Sequence, residues 1–258
     1  MTPPELKVMV YDEGERLARE VAASMVELAK ESIAEHGQCT LALSGGSTPR
    51  HVYELLGKQG VVEDMPWEHT LLFWGDERVV KPDHPDSNYR MVYEALLKGG
   101  PVPLENIVPI QTSGLDPAVC AERYERLLQQ RVRRKSEGFP LFDLILLGIG
   151  NDGHTASLFP GTPAPLERTH AVTWCDPVQV NPQVVPAVSR VTITAPVIWK
   201  ASNVFVLAEG AAKKEILGKI FAPGPIDTQP VARLIWRCSG QVRFFIDNAA
   251  LPDNAKKG

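Results

Sequence analysis

The chain has 258 residues, 44% of them hydrophobic and 22% charged, with a formal charge of −4. This composition excludes an intrinsically disordered chain, supports a substantial buried core near the upper size of one domain, and offers no overall attraction to nucleic acid or a membrane surface. An anionic ligand therefore needs a local cluster of cationic side chains and backbone N–H donors.

Charge within the first seven residues, Glu5 and Lys7, and the lack of an apolar core there predict no secretory leader. No apolar run approaches the roughly 20 residues that span a bilayer. Cys39, Cys120, Cys175 and Cys238 are widely spaced and form neither a C-x-x-C pair nor a Cys/His ligand pattern. They read as reduced packing residues of a cytoplasmic protein. With no internal repeat and no low-complexity linker, residues 1–258 read as a single domain.

Short apolar runs, each usually followed by a helical period, dominate the chain. Residues 14–36 form the first helix, with Leu17, Val21, Met25 and Leu28 on one face. Thr40 to Leu43 is a buried strand that breaks at Ser44-Gly45-Gly46-Ser47-Thr48-Pro49, and helix returns from His51 to Leu56. Thr70 to Trp74 is a second strand ending in a charged loop, Gly75-Asp76-Glu77-Arg78. Asn88 reads as the cap of a helix reaching Leu97, and Pro117 to Arg134 as a longer amphipathic helix with basic residues near its C-terminus. Phe142 to Gly148 is the strongest strand. Further strands are expected at Ala171–Trp174, Val191–Thr194, Val204–Ala208 and Val242–Ile246, with a helix from Ala211 to Phe221. Continuous apolar strands alternating with amphipathic helices predict an α/β fold: a doubly wound, mostly parallel sheet with helices on both faces. Ligands bind such sheets where strands end and helices begin, which selects residues 44–49, 75–81, 150–155 and 209–213.

Those loops carry the chain's least ordinary residues. In Ser44-Gly45-Gly46-Ser47-Thr48-Pro49, two glycines allow close backbone approach, and the first N–H groups of a helix point at whatever binds there. The same residues also suit a plain strand-to-helix turn. The loop lacks the Gly-Lys-Ser/Thr ending of a P-loop and the G-x-G-x-x-G spacing of a dinucleotide site. Asp76, Glu77 and Arg78 put three charges directly after a buried strand, where exposed ion pairs add only ~0–1 kcal/mol of stability. A solvated turn is the alternative. His154 lies six residues beyond the strongest strand, and histidine exchanges a proton near neutral pH. Asp152, two residues away, can orient the imidazole, although a histidine bonded to a loop carbonyl would look the same. Arg190 before a strand and Lys213 at a helix start read individually as solvated charges, and matter only if they converge on residues 44–49.

Three segments together resemble the 6-phosphogluconolactonase family: Ser44 to Pro49; Gly75 to Arg78 with Ser87-Asn88 downstream; and Gly148-Ile149-Gly150-Asn151-Asp152-Gly153-His154-Thr155-Ala156-Ser157-Leu158-Phe159-Pro160. A weaker likeness continues through Arg190 to Thr194 and Gly210 to Lys213. The related glucosamine-6-phosphate deaminases are the alternative. They carry Phe-Asn-Glu-Pro after the histidine, whereas this chain has Phe159 in place of that glutamate; they follow Asp-Glu with Tyr, whereas this chain has Arg78. The chain departs from the lactonase pattern at Asn181 to Val188, where the family usually has Pro-Lys-Pro-Pro before the arginine.

The resemblance implies hydrolysis of a sugar-phosphate lactone by water, with His154 as general base, Asp152 orienting it, and Arg78, held by Asp76, stabilising the oxyanion. Ser44, Gly45, Gly46, Ser47, Thr48, Arg190 and Lys213 would bind the phosphate. No G-x-S-x-G elbow and no metal-ligand spacing are present, so neither a serine nucleophile, a metal nor a cofactor is expected. The expected partner is the small-molecule lactone alone, bound by a monomer, with no nucleic acid and no membrane. Loss of catalysis in a sugar-phosphate sensor is a third possibility, marked by loss of the base, and His154 is present.

Overall fold

The structure, a computed structural model, describes residues 6–58, 65–223 and 231–257. The first five residues, on which part of the N-terminal reading rests, lie outside that range. The elements run β1 (Leu6–Tyr11), α1 (Gly14–His36), β2 (Cys39–Leu43), α2 (Ser47–Leu56), β3 (Thr70–Trp74), β4 (Asp76–Arg78), α3 (Asn88–Val92), β5 (Ile107–Val108), α4 (Pro117–Arg131) and β6 (Lys135–Ser136). They continue with β7 (Phe139–Pro140), β8 (Leu144–Gly148), β9 (Val172–Cys175), β10 (Arg190–Ile193), α5 (Ala195–Lys200), β11 (Asn203–Ala208), α6 (Lys214–Phe221) and β12 (Gln241–Asp247).

Seven strands form a parallel sheet in the order β1-β12-β11-β8-β2-β3-β5. The chain leaves β2 toward β3 and β5, but leaves β8 toward β11 and β12. Right-handed crossovers running in opposite directions put their helices on opposite faces, the doubly wound arrangement. The residues of β2 and β3 are all buried, as their uninterrupted apolar runs require of strands covered on both sides. α1 buries Leu17, Val21, Met25 and Leu28 in the core, each side chain contributing roughly 1.5–3 kcal/mol relative to exposure. α4 starts on Asp116, whose carboxylate accepts from the Ala118 N–H at 2.8 Å, with Pro117 in the first turn where its missing N–H does no harm.

The structure adds one element to the sequence reading and corrects four expectations. Residues 6–11 form β1, an edge strand absent from the sequence reading. Residues 76–78 are not a loop but strand β4, and Arg190 does not precede a strand but begins β10. β4, β10 and β9 form a separate antiparallel sheet, so the strands expected near 171–174 and 191–194 do not join the parallel one. Asn88 is the first residue of α3, and Ser87 caps that helix by accepting from the Arg90 N–H at 3.1 Å.

Candidate active site

β2 and β8 are hydrogen-bonded neighbours, and they are the strands at which the sheet order reverses. The loops leaving their C-terminal ends therefore diverge and open a crevice. The antiparallel sheet is fastened beside it, where the Gly75 N–H donates to the Leu43 carbonyl and the Ile193 N–H to the Gly75 carbonyl, both at 2.8 Å. The result is a cleft of about 640 Å³. Ser44, Gly45, Gly46, Ser47, Thr48, Asp76, Arg78, Asp152, His154, Arg190 and Lys213 all line it, from segments spread over most of the chain.

Tyrosine hydroxyls hold two of the strand ends. The Tyr53 hydroxyl accepts from the Ser44 N–H at 3.0 Å and donates to the Ser44 carbonyl at 2.9 Å. Tyr124 does the same for Trp74, at 2.8 and 2.9 Å. Beyond Ser44 the chain turns through Gly46, at φ +108°, into α2, whose N-terminus receives no side-chain cap. The helix's first N–H groups are thus left for a ligand, and they favour an anion. The Thr48 hydroxyl is committed elsewhere: it donates to Glu209 Oε2 at 3.1 Å, which leaves the Thr48 backbone N–H as its donor toward the cleft.

After β8 the chain makes a tight loop in which the Gly150 N–H donates to the His154 carbonyl at 2.9 Å. His154 Nδ1 lies 2.5 Å from Asp152 Oδ1, and the His154 N–H donates to the same oxygen at 3.2 Å. Gly150 is required here, because a Cβ would sit 2.2 Å from the imidazole and 2.6 Å from the carboxylate. Burial alone would raise the Asp152 pKa, but the hydrogen bond and charge of His154 prevail and hold it below the usual carboxylate range. Phe159 stacks on the imidazole with ring centroids 4.1 Å apart. An Nδ1 tied to a carboxylate leaves Nε2 as the atom able to accept a proton.

In β4, strand alternation sends Asp76 and Arg78 to the cleft and Glu77 away from it. Asp76 does not hold Arg78. Its Oδ2 accepts from the Ser157 hydroxyl at 2.6 Å, while Arg78 Nη1 donates to the Asp86 carbonyl at 2.7 Å. Arg78 and Arg190 are register partners across β4 and β10, an arrangement of like charges that is unfavourable without an anion. Arg190 is 2% exposed; its Nη2 donates to the Pro186 carbonyl at 3.0 Å, but the buried Nη1 has no partner. Burial, then Arg78, lowers its pKa, partly opposed by Asp76. Lys213 Nζ donates to Asn151 Oδ1 at 2.8 Å, and burial lowers its pKa against the pull of Asp152. Asn181, Gln183, Val184 and Val185, from the segment that departs from the lactonase pattern, line the cleft mouth.

Sequence reasoning left Ser157 and Glu209 without a role, although both line the cleft and bond to site residues. Ser157 was visible only as part of its motif, and Glu209 only as the first residue of the selected 209–213 loop. Among the described residues no three His, Cys, Asp or Glu side chains gather as a metal-binding set, and no helix is long and apolar enough to cross a membrane.

Residues 12–244 match the family model for glucosamine-6-phosphate isomerases/6-phosphogluconolactonase. The chain is 44% identical to a 6-phosphogluconolactonase of Synechocystis sp. over 85% of its own length and 86% of that protein's. It superposes on the 6-phosphogluconolactonase of Trypanosoma cruzi with a TM-score of 0.85 at 34% identity, covering 95% of this chain and 96% of that one. A monomeric glucosamine-6-phosphate deaminase shares the fold, with a TM-score of 0.77 at 23% identity over 95% of this chain and 98% of the other. The chain belongs to the glucosamine-6-phosphate isomerase/6-phosphogluconolactonase family.

Proposed function

We propose that the protein is a 6-phosphogluconolactonase, hydrolysing 6-phospho-D-glucono-1,5-lactone to 6-phospho-D-gluconate in the oxidative pentose phosphate pathway. The observation that carries this reading is the His154–Asp152 pair in a cleft that also holds a buried arginine with a free donor. His154 Nε2 takes a proton from water as the water oxygen bonds to the lactone carbonyl carbon. Arg78 stabilises the resulting oxyanion. Collapse of this intermediate breaks the bond to the ring oxygen, which takes up the proton held by His154, and the new carboxylic acid ionises. Asp152 keeps the imidazole oriented.

The substrate phosphate carries about −1.5 to −2 charges at neutral pH, by analogy with phosphorylated side chains. In this reading the N-terminus of α2 with Ser44, Gly45, Gly46, Ser47 and Thr48 grips it together with Arg190 and Lys213. The apolar Phe159 ring against His154, where the deaminases carry a glutamate, supports the lactonase over the deaminase. The four buried free cysteines support a cytoplasmic setting, and in this reading the protein is a metal-independent, single-domain monomer. The test is a coupled assay with freshly prepared lactone, with and without EDTA, beside ammonia release from glucosamine 6-phosphate. Rapid, chelator-insensitive lactone hydrolysis with negligible ammonia release is expected. Ammonia release matching lactone turnover would reverse the choice.

A further inference from the structure

Asn88 belongs to no catalytic role so far, yet it is 2% exposed and lines the cleft. Its placement begins with Glu77, the β4 residue that points away from the cleft. Glu77 is 1% exposed and ends in four donors: the backbone N–H groups of Arg78, Asn88 and Tyr89, each at 2.7 Å, and the Ser87 hydroxyl at 3.1 Å. A buried carboxylate so fully satisfied forms a rigid knot, and it fastens the start of α3 to β4.

From that knot the Asn88 side chain reaches toward the cleft. Its Nδ2 donates to the Asp76 carbonyl at 2.9 Å and stands 3.4 Å from Asp76 Oδ1. The same amide packs against Gly45: a Cβ there would fall 2.1 Å from Asn88 Oδ1 and 2.6 Å from its Cγ. Gly45 is not among the positive-φ glycines, so the backbone does not demand glycine there, and the three atoms nearest to an added Cβ all belong to the Asn88 amide. One side chain thus touches both the strand bearing Asp76 and Arg78 and the loop entering α2.

We propose that Asn88 is a positioning residue, a spacer that fixes the distance between the carbonyl-activating end of the cleft at β4 and the anion-binding loop at Gly45. The proposal rests on the reading of residues 44–48 as a phosphate grip. A ligand held at both ends gains from a fixed span, because a misplacement near 1 Å at the reacting end lowers turnover by about 10²-fold.

The test is a double-mutant cycle on the full chain with Asn88→Ala, Gly45→Ala and the double variant. It reads kcat and KM on the lactone, and, independently of turnover, inorganic phosphate affinity by calorimetry. Asn88→Ala is expected to lower kcat by about 10- to 100-fold. Gly45→Ala is expected to weaken phosphate binding about ten-fold or more, and adding Asn88→Ala should restore at least about three-fold of that loss, since the new methyl enters the vacated space. Running the cycle again with Asn88→Ser, with folding checked by circular dichroism, keeps a poorly folding alanine variant from deciding the matter. Losses that simply multiply in both cycles overturn the proposal, as does an Asn88→Ala protein within two-fold of wild type in kcat and phosphate affinity. If wild type binds phosphate with the expected coupling but leaves the lactone intact, the spacer stands and the lactonase reading falls. If the lactone is hydrolysed but the coupling is absent, the spacer falls and the lactonase reading stands.

Discussion

Arg190 is the residue at which binding and stability should separate. Replacing it with Met keeps an unbranched apolar stem in the space and removes the guanidinium. In the free protein two terms then oppose each other. The lost charge-assisted Nη2 bond to the Pro186 carbonyl costs roughly 1.5–3 kcal/mol, while deleting the unpartnered buried Nη1 relieves roughly 1–3 kcal/mol. Removing one of two arginines in register across β4 and β10 adds to the relief. With these terms nearly cancelling, the ligand-free Tm of Arg190→Met should lie close to that of wild type.

With phosphate the two proteins separate. At a concentration 100 times its Kd, phosphate stabilises wild type by about 2.7 kcal/mol. Losing a charge-assisted hydrogen bond of roughly 1.5–3 kcal/mol weakens affinity about 10- to 150-fold. At that same concentration the variant gains only about 0.3–1.4 kcal/mol. Thermal unfolding of both proteins with and without inorganic phosphate reads all four numbers, and KM for the lactone should rise in parallel. A variant that melts several degrees lower without ligand, yet keeps the full phosphate-induced shift, would show that Arg190 only supports the fold.

Three other substitutions address the remaining roles. His154→Ala should lower kcat by about 10²–10⁴-fold with KM nearly unchanged, and wild-type turnover in that variant would move the base elsewhere, with Asp76 the next candidate. Lys213→Ala should raise KM for the phosphorylated lactone and leave unphosphorylated gluconolactone almost unaffected; equal weakening of both would remove Lys213 from the phosphate site. Asp152→Asn should show its effect in stability against pH. The folded-state pKa of Asp152 is depressed, so its contribution is complete above the unfolded carboxylate value, about 3.9, and is lost as pH falls through the lower folded value. The difference between wild type and Asp152→Asn should accordingly not shrink until pH falls below about 4. A difference already shrinking between pH 7 and 5 would contradict the depressed value.

What was legible in the sequence was whatever local chemistry specifies. β2, β3, β8 and β11 are continuous apolar runs whose strand character needs no tertiary knowledge. β1 escaped because Lys7, Val8 and Val10 are exposed on an edge strand, so it lacks the buried run that marks its neighbours. β4 escaped for a different reason. Asp and Glu are poor strand formers, and those residues are extended only because β10, more than a hundred positions later, pairs with them. The candidate residues could be named from their loops, but not their states. Arg190 looked solvated because buried arginine is rare, and Glu77 read only as one charge of a turn because nothing in its neighbourhood announces that α3 will bring it two N–H donors.

The misread antiparallel sheet bears directly on the chemistry. A parallel sheet at its switch point supplies helix N-termini and glycine turns, groups that hold an anion without committing a side-chain charge. Those groups here come from α2 and the loop after β8. Strand alternation in β4 supplies what such loops hold poorly: two charged side chains fixed on one face, with the carboxylate between them turned inward as an anchor. Arg190 enters the same cleft from β10. In the proposed reading, a ligand gripped at the α2 end is presented to groups set on a second sheet, which is joined to the first through Gly75 and through Asn88 against Gly45. Binding energy at a non-reacting phosphate can raise turnover only when the path between the two ends does not flex. These two junctions supply that stiffness, so substitutions that loosen them should lower kcat more than they raise KM.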